Sequence, residues 1–174
     1  VNGSTVAGIF VHDNVLNTNG ATAGAEIKNS TINGSVTATG ILVSGSDASA
    51  NIHDNSSTIT GMLIGVDVNG GSAALYRNNI TANGTGVRVN NSGNLTSSTE
   101  NFITKKTGDG IRIEATAGTI GVISNNDLSG NPLGNAIHND AALVSATCNW
   151  WGTNSVTGVS GSVTGLVTYD PWLI

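Results

Sequence analysis

The sequence contains few charged residues, few aromatic residues and no long apolar run. Of its 174 residues, only 10% are charged and 4% are aromatic. The scarcity of Leu, Lys and Glu argues against a helical bundle, and the apolar runs are too short to cross a lipid bilayer. Six Lys and Arg residues in a chain of net charge -5 provide no basic stripe for phosphate groups, so nucleic acid is not expected as a partner.

Cysteine is nearly absent as well. A single residue, Cys148, cannot form an internal disulfide, so the fold is not stapled as small secreted domains are. We do not expect this cysteine to act as a nucleophile, because the pattern places no base beside it.

The abundant residues are Gly (24), Asn (23), Thr (21) and Ser (18). The apolar residues, 38% of the chain, occur in short, regularly spaced clusters, which argues against disorder.

Two short motifs recur along the chain. The first, Gly-apolar-x-apolar, occurs at residues 8–11, 40–43, 65–68, 86–89 and 110–113, and each copy predicts a short strand with two inward β-branched residues. The second is an Asn followed closely by an apolar residue, with spacings of 24, 22, 25 and 23 from its second member onward. Its members are Asn14, Asn55, Asn79, Asn101, Asn126 and Asn149. The 41 residues between Asn14 and Asn55 leave room for one further coil.

A near-constant period of 22–25 residues predicts an all-β fold, a β-solenoid of about seven coils. The Leu framework of a leucine-rich repeat, the six-residue period of a left-handed β-helix and the variable spacing of a sandwich are all missing. In a solenoid each strand pairs in parallel with the same strand one coil away, so matching positions form columns. We therefore expect the recurrent Asn to stack at a corner, adopt left-handed backbone angles and pass amide hydrogen bonds between coils.

The repeat and the ending resemble a known family. Gly-Ile-x-Ile followed by Asn-x-Ile is similar to the right-handed parallel β-helix repeat of the pectate-lyase-like superfamily, over residues 8–151. Residues 148–153 and 167–173 resemble the Asn-Trp-Trp-Gly and Asp-Pro-Trp-Leu ending of such repeats in surface and secreted proteins of bacteria and archaea. The resemblance implies a single-stranded, right-handed solenoid at an extracellular or cell-surface location. It implies no single activity, because the superfamily includes lyases, hydrolases, epimerases, adhesins and structural modules.

The end of the chain predicts a cap. An open solenoid end exposes apolar core and unpaired strand edges. Large rings gather there and are expected to cover it: Trp150, Trp151, Tyr169, Pro171 and Trp172. We predict one domain over 1–174, with coils over 1–151 and the cap over 152–174. Because the chain opens at Val1 in mid-pattern, we expect a fragment or processed part of a longer protein, whose first coil pairs with further coils or with another copy.

The outward position of the Gly-apolar-x-apolar strand carries the first candidate binding residues. This column reads Phe10, Leu42, Asp67, Arg88 and Arg112. Asp67 beside Arg88 is a favourable pair, whereas Arg88 with Arg112 could grip the carboxylates of an acidic polysaccharide through forked hydrogen bonds. A solvated sheet face is the plainer interpretation of the same residues.

Histidine next to aspartate occurs twice, at His12-Asp13 and His53-Asp54. We place both histidines in a second outward column that continues through Arg77, about 10 Å apart and too far to share a metal ion. Polar residues that cap turns are the favoured interpretation of these pairs. His138 has no evident partner, and no column holds adjacent aspartates. We therefore expect no catalytic cluster, no metal and no cofactor.

The leading hypothesis is a non-catalytic extracellular structural or adhesive module, a stalk or filament subunit, with glycans or further copies of itself as partners. The alternative is a polysaccharide lyase or epimerase acting on acidic glycans, with Arg88 or Arg112 as base beside Asp67. A third hypothesis, ice binding, lacks a clean row of Thr. Eight candidate glycosylation sites would suit a surface protein: Asn2, Asn29, Asn33, Asn55, Asn79, Asn83, Asn90 and Asn94.

Overall fold

The structure, a computed structural model, describes residues 7–12, 23–55, 58–104, 107–131 and 134–174. These residues form short strands and one short helix. In chain order they are β1 (Ala7–His12), β2 (Ala23–Lys28), β3 (Thr31–Asn33), β4 (Thr39–Ser44), β5 (Ala48–His53), β6 (Thr58–Thr60), β7 (Ile64–Asn69), β8 (Ser72–Tyr76), β9 (Asn79–Thr81), β10 (Thr85–Asn90), β11 (Asn94–Thr99), β12 (Phe102–Thr104), β13 (Ile111–Ile113), β14 (Ile120–Ser124), β15 (Ile137–Ser145), α1 (Val156–Gly161) and β16 (Val163–Thr168).

The strands stack into three sheets, and successive strands of one turn belong to different sheets. Sheet A contains β1, β4, β7, β10, β13, β15 and β16, sheet B contains β2, β5, β8, β11 and β14, and sheet C contains β3, β6, β9 and β12. Neighbouring strands in each sheet run parallel. The chain is therefore an all-β parallel β-solenoid of about six turns, as the repeat predicted.

The expected count of about seven coils is one too high. β1 pairs directly with β4, with Ile9 opposite Ile41. β2 and β3 complete that same turn, because they pair with β5 and β6. The described part of the long interval before Asn55 thus holds β2 and β3 of the first turn, together with β4 and β5 of the second.

Inward side chains form columns that fill a narrow core. The column of sheet C, for example, consists of Ile32, Ile59, Ile80, Ile103 and Leu128, each at most 5% exposed. Burial of one such side chain contributes about 1.5–3 kcal/mol. Sheet B interrupts its column with a polar residue, since Ser98 lies between Leu75 and Ile123 and is completely buried. Its hydroxyl oxygen accepts a hydrogen bond from the Nδ2 of Asn101 at 3.3 Å, so Ser98 helps to hold the corner that follows β11.

The corner between sheets B and C is built from two residues per turn. The first adopts left-handed backbone angles, with φ between 50° and 59°, at Asn29, Asp54, Arg77, Glu100, Asn125 and Cys148. Such angles cost about 1–2 kcal/mol for a residue with a Cβ. The second residue of the corner is Asn in five successive turns: Asn55, Asn78, Asn101, Asn126 and Asn149, all at most 1% exposed.

These five residues form a continuous amide ladder. The Nδ2 of Asn101 donates to the Oδ1 of Asn126 at 3.0 Å, and Asn126 donates likewise to Asn149 at 2.9 Å. The same Oδ1 atoms accept backbone N–H groups, as from Asn101 to Asn126 at 3.0 Å. The first turn joins the ladder through Ser30, whose N–H donates to Asn55 at 2.8 Å. Each buried amide of the ladder has hydrogen-bond partners in a neighbouring turn, and these bonds hold the turns together. Their free energy offsets the cost of the left-handed backbone angles.

The ladder corrects the predicted Asn column by one residue. Asn78 lies in the ladder, whereas Asn79 begins β9 on the outer surface of sheet C, opposite Phe102. The ladder residues also do not adopt the left-handed angles themselves; the residues before them do. Asn14 lies outside the described residues.

The C-terminal end of the core is covered by a ring cluster and α1. Trp151 is 4% exposed and meets Tyr169 edge to face at 6.2 Å between ring centroids, and Tyr169 contacts Trp172. From α1, the buried Val159 packs onto the same core. The other two predicted cap residues are less buried: Pro171, between Tyr169 and Trp172, is exposed, and Trp150 lies on the outer surface of sheet C opposite Asp127.

Candidate functional site

The predicted outward column is present on sheet A. The register pairs Phe10 with Leu42, Leu42 with Asp67, Asp67 with Arg88, and Arg88 with Arg112. It continues to His138 and Thr164, opposite Arg112 and His138 respectively. The column therefore places the predicted Asp67, Arg88 and Arg112 on three adjacent strands.

Asp67 and Arg88 form a forked ion pair. The Nε and Nη2 of Arg88 donate to the two carboxylate oxygens at 3.1 and 2.6 Å, and the Asp67 side chain is only 4% exposed. The hydrogen bond to Asp67 raises the pKa of Arg88 above its usual value. A guanidinium that holds its proton more tightly is a poorer general base.

Arg112 lies in a cluster of charged groups, which we name the Arg112 cluster: Asp109, Arg112, Glu114, His138 and Asp140. Its Nη2 lies 2.5 Å from Asp140 and 3.4 Å from Glu114, and its Nη1 lies 3.6 Å from Asp109. The imidazole nitrogens of His138 are each 3.3 Å from a carboxylate oxygen, one of Asp109 and one of Asp140. A cavity of about 450 Å³ beside the cluster is lined by Arg88, Asp109, Arg112 and Glu114, among others.

The Arg112 cluster corrects two sequence-based expectations. His138 has several partners, and three carboxylates do converge although they occupy no single column. They converge because Asp109 and Glu114 flank the Arg112 strand on either side, while Asp140 follows His138 on the next strand. The register of β13 against β15 would have revealed this, but the strand at 137–145 lacks the Gly-apolar-x-apolar motif.

The two His-Asp pairs lie on different sheets. His12 is opposite Ser44 on sheet A, whereas His53 lies on sheet B opposite Lys28 and Tyr76. The predicted second column, with both histidines and Arg77, is therefore wrong. Asp13 lies outside the described residues.

His53 nevertheless makes a compact ionic group at the left-handed corner. Its Nδ1 lies 2.8 Å from Asp54 and its Nε2 lies 3.0 Å from Glu26 of the preceding turn. The bend at Asp54, with φ 54°, lets neighbouring residues face each other. Hydrogen bonds to Asp54 and Glu26 raise the pKa of His53. The pKa of Asp54 is lowered chiefly by His53, and that of Glu26 chiefly by Lys28.

A cavity of about 840 Å³ follows the corner between sheets B and C, and we name it the corner groove. One side is formed by the left-handed residues from Asn29 to Asn125, and its base by the amide ladder. The other side is an outward column of sheet C, defined by the pairing of Asn79 with Phe102, Phe102 with Asp127, and Asp127 with Trp150. Leu173 extends this side by one rung, because its N–H donates to Asn149 at 3.0 Å. The sequence pattern did not single out this surface.

Sheet C also carries a short row of hydroxyl groups. Register places Thr60, Thr81, Thr104 and Ser129 on successive rungs, with the Oγ1 atoms of Thr81 and Thr104 3.4 Å apart. The neighbouring outward column is irregular, because it carries Phe102, Asp127 and Trp150. Among the described strands of sheet C, only β6 carries two outward Thr residues, Thr58 and Thr60, so no surface of repeated Thr pairs is formed there.

The candidate glycosylation sites differ in accessibility. Asn55 and Asn83 are at most 1% exposed, and their amides are hydrogen bonded inside the fold, so the folded chain does not offer them for glycosylation. Asn29 and Asn33 are exposed, whereas Asn79, Asn90 and Asn94 are partly buried. Asn2 lies outside the described residues.

Within the described ranges, no group of His, Cys, Asp or Glu side chains is positioned to hold a metal ion. The structure describes no helix of the length and apolar character that a membrane span requires. Comparisons of the chain with protein-family models, with curated proteins and with solved structures found no match. The fold itself defines the class: this chain is a parallel β-solenoid.

Proposed function

We propose that the chain is a non-catalytic, rigid β-helix module of a cell-surface or secreted protein, a stalk or filament element with an adhesive side. The amide ladder is the observation that carries this proposal. It links five successive turns through buried and satisfied side chains, as from Asn55 to Asn78 at 2.8 Å. A repeat whose turns are joined by hydrophobic columns and by a continuous polar ladder resists bending, which suits a rod.

The finer assignment rests on the sequence resemblance. The motif at residues 110–113 and the ending around Trp150 support a right-handed β-helix of the pectate-lyase-like superfamily. We propose further that copies of the module stack on β1, which lies at one edge of sheet A among the described strands.

The candidate arginines are occupied by partners inside the chain. Arg88 gives two donors to Asp67, and Arg112 is surrounded by three carboxylates and His138. Each guanidinium therefore has fewer donors left for the carboxylates of an acidic glycan. This occupancy favours a structural role for the sheet A column.

One observation favours the alternative, a polysaccharide-active enzyme. Two carboxylates of the Arg112 cluster, Asp109 and Glu114, line a 450 Å³ cavity, and Asp109 lies 3.3 Å from the imidazole of His138 behind it. Carboxylates and His are the groups that general acid–base chemistry on a glycan requires. In this second candidate function Asp109, His138 and Asp140 replace Arg88 as the reacting groups.

Incubation with acidic and neutral polysaccharides separates the two candidates. We expect the wild-type chain to bind insoluble glycan in a pull-down and to release no unsaturated, hydrolysed or epimerised product detectable by mass spectrometry. The matched variants are Asp109→Asn and Asp140→Asn, because Asn keeps the Oδ1 atom with which Asp109 accepts the N–H of Asn135. Product formation by the wild type that both variants abolish would establish the enzyme and overturn the structural proposal.

A further inference from the structure

The corner groove differs from the other polar surfaces of the chain, because several of its polar side chains are not used by the fold. In the ladder the amides bond to one another, and in the Arg112 cluster the charges are paired. By contrast, the side chains of Asn79, Glu100 and Asn125 line the groove and make no hydrogen bond or ion pair with any described residue. Polar groups left open in a concave surface are the usual means of orienting a ligand.

Asp127 lies at the centre of the groove's sheet C side. One carboxylate oxygen accepts the N–H of Ser129 at 2.9 Å, which fixes the side chain. The other oxygen has no partner among the described residues. A carboxylate held in place by one oxygen, with the second oxygen open, is a strong and oriented acceptor for hydroxyl groups.

Aromatic side chains lie one rung away from Asp127 on each side. Phe102 is 57% exposed and Trp150 is partly exposed, and both line the groove. They belong to alternate rungs of a parallel stack, so they lie about 10 Å apart. That distance is comparable to the separation of alternate rings in an extended β-linked glycan. Neither ring stacks on another aromatic side chain in the described part of the chain.

The charge of the groove selects among glycans. Asp54 and Arg77 neutralise each other through an ion pair of 2.8 Å. Glu100 and Asp127 have no cationic partner in the described structure, so the groove has a net negative charge. A glycan with carboxylate or sulfate groups would be repelled, whereas a neutral glycan would not.

We propose that the corner groove binds an extended neutral glycan, whose rings stack on Phe102 and Trp150 while its hydroxyl groups hydrogen-bond to Asp127, Asn125 and Glu100. This inference rests on the adhesive part of the proposed function and assigns its site and its ligand class. It moves the binding surface from the arginines of sheet A to the corner between sheets B and C. The groove runs along the stack, so a linear ligand lies parallel to the solenoid axis and crosses several turns.

The test is isothermal titration of the chain with neutral β-linked hexasaccharides of glucose and of N-acetylglucosamine, and with a hexasaccharide of galacturonic acid. We expect one of the neutral hexasaccharides to bind and the acidic one to bind more weakly. Phe102→Ala and Trp150→Ala should each weaken binding about fivefold to tenfold through the loss of a stacking surface. Val122→Ala is the matched control, because Val122 is 59% exposed on sheet B away from the groove, and binding should not change.

A third variant keeps the test decisive if an aromatic substitution disturbs folding. Asp127→Asn retains an oxygen that can accept the N–H of Ser129, removes the charge and replaces the open acceptor oxygen by an NH2 donor, so the turn should persist while neutral-glycan affinity falls about fivefold. Failure of every neutral hexasaccharide to bind would refute the inference, as would binding that Phe102→Ala and Asp127→Asn leave unchanged or a preference for the acidic hexasaccharide. Those outcomes leave the structural role standing. Release of shorter products from a bound hexasaccharide would instead contradict the non-catalytic proposal.

Discussion

At the scale of the residue, neighbouring Asn78 and Asn79 have opposite environments. Asn78 donates to Ile52 at 2.8 Å and to Asn101 at 2.9 Å, and it accepts from Asn55 at 2.8 Å. Asn78→Ala should lower the free energy of unfolding by about 2–4 kcal/mol, because buried groups in two turns lose their partners. Asn79→Ala should change it by less than about 0.5 kcal/mol, since the Asn79 side chain bonds to no described residue.

Urea denaturation of the two variants measures this difference directly. The substitutions are chemically identical and one position apart, so effects on the unfolded chain nearly cancel. Equal destabilisation by both, or a larger effect of Asn79→Ala, would contradict the observed register of the ladder.

At the scale of the element, His53 ties β5 to β2 and to the corner before β9. It bonds to Glu26 of β2, and Asp54 bonds in turn to Arg77 of the next corner. The raised pKa of His53 means that its contribution to stability is complete below 6.5 and is lost as pH rises through the folded-state value. The lowered pKa values of Glu26 and Asp54 give contributions that are present above 4.5 and 3.8 and are lost as pH falls.

The three residues therefore stabilise the joined strands most between about pH 4.5 and pH 6.5. We expect the wild type to lose stability as pH rises above about 6.5, and His53→Gln to lose less, as measured by urea denaturation at each pH. Parallel pH profiles of wild type and variant would show that the ionic contacts of His53 contribute nothing to folding.

At the scale of the whole molecule, the repeat alone was sufficient to predict the solenoid. Residues recurring every 22–25 positions must occupy the same place in successive turns, and the outward column from Phe10 to Arg112 was correct for that reason. The predicted Asn column was wrong by one residue at one turn, because Asn78 and Asn79 are adjacent in the sequence. In the next three turns the ladder residue stands two positions before a buried apolar residue, as Asn101 stands before Ile103. The same spacing selects Asn78, two positions before Ile80, over Asn79.

The candidate sites were harder to predict than the fold. The Arg112 cluster depends on carboxylates that flank strands without sharing a column, and the corner groove depends on which residue of each corner adopts left-handed angles. Arg77, Glu100 and Cys148 occupy that position although their side chains do not favour it. Only the backbone path, set by the ladder beside them, determines those angles.

Each turn of a solenoid is stabilised by its neighbours, and the last turn has a neighbour on one side only. The stability of the last turn therefore depends on the few side chains that cover its core. Helix α1 covers the C-terminal end through a single buried side chain, Val159, whereas Val156 of the same helix is 63% exposed. Val159→Ala should cost about 2 kcal/mol and speed hydrogen exchange in β16, because the removed methyl groups leave the core uncovered. Val156→Ala carries the same gain in helix propensity without the loss of packing, so it should be neutral or slightly stabilising. If both variants exchange β16 at the wild-type rate, α1 does not close the solenoid, and the ring cluster around Trp151 is the whole of the cap.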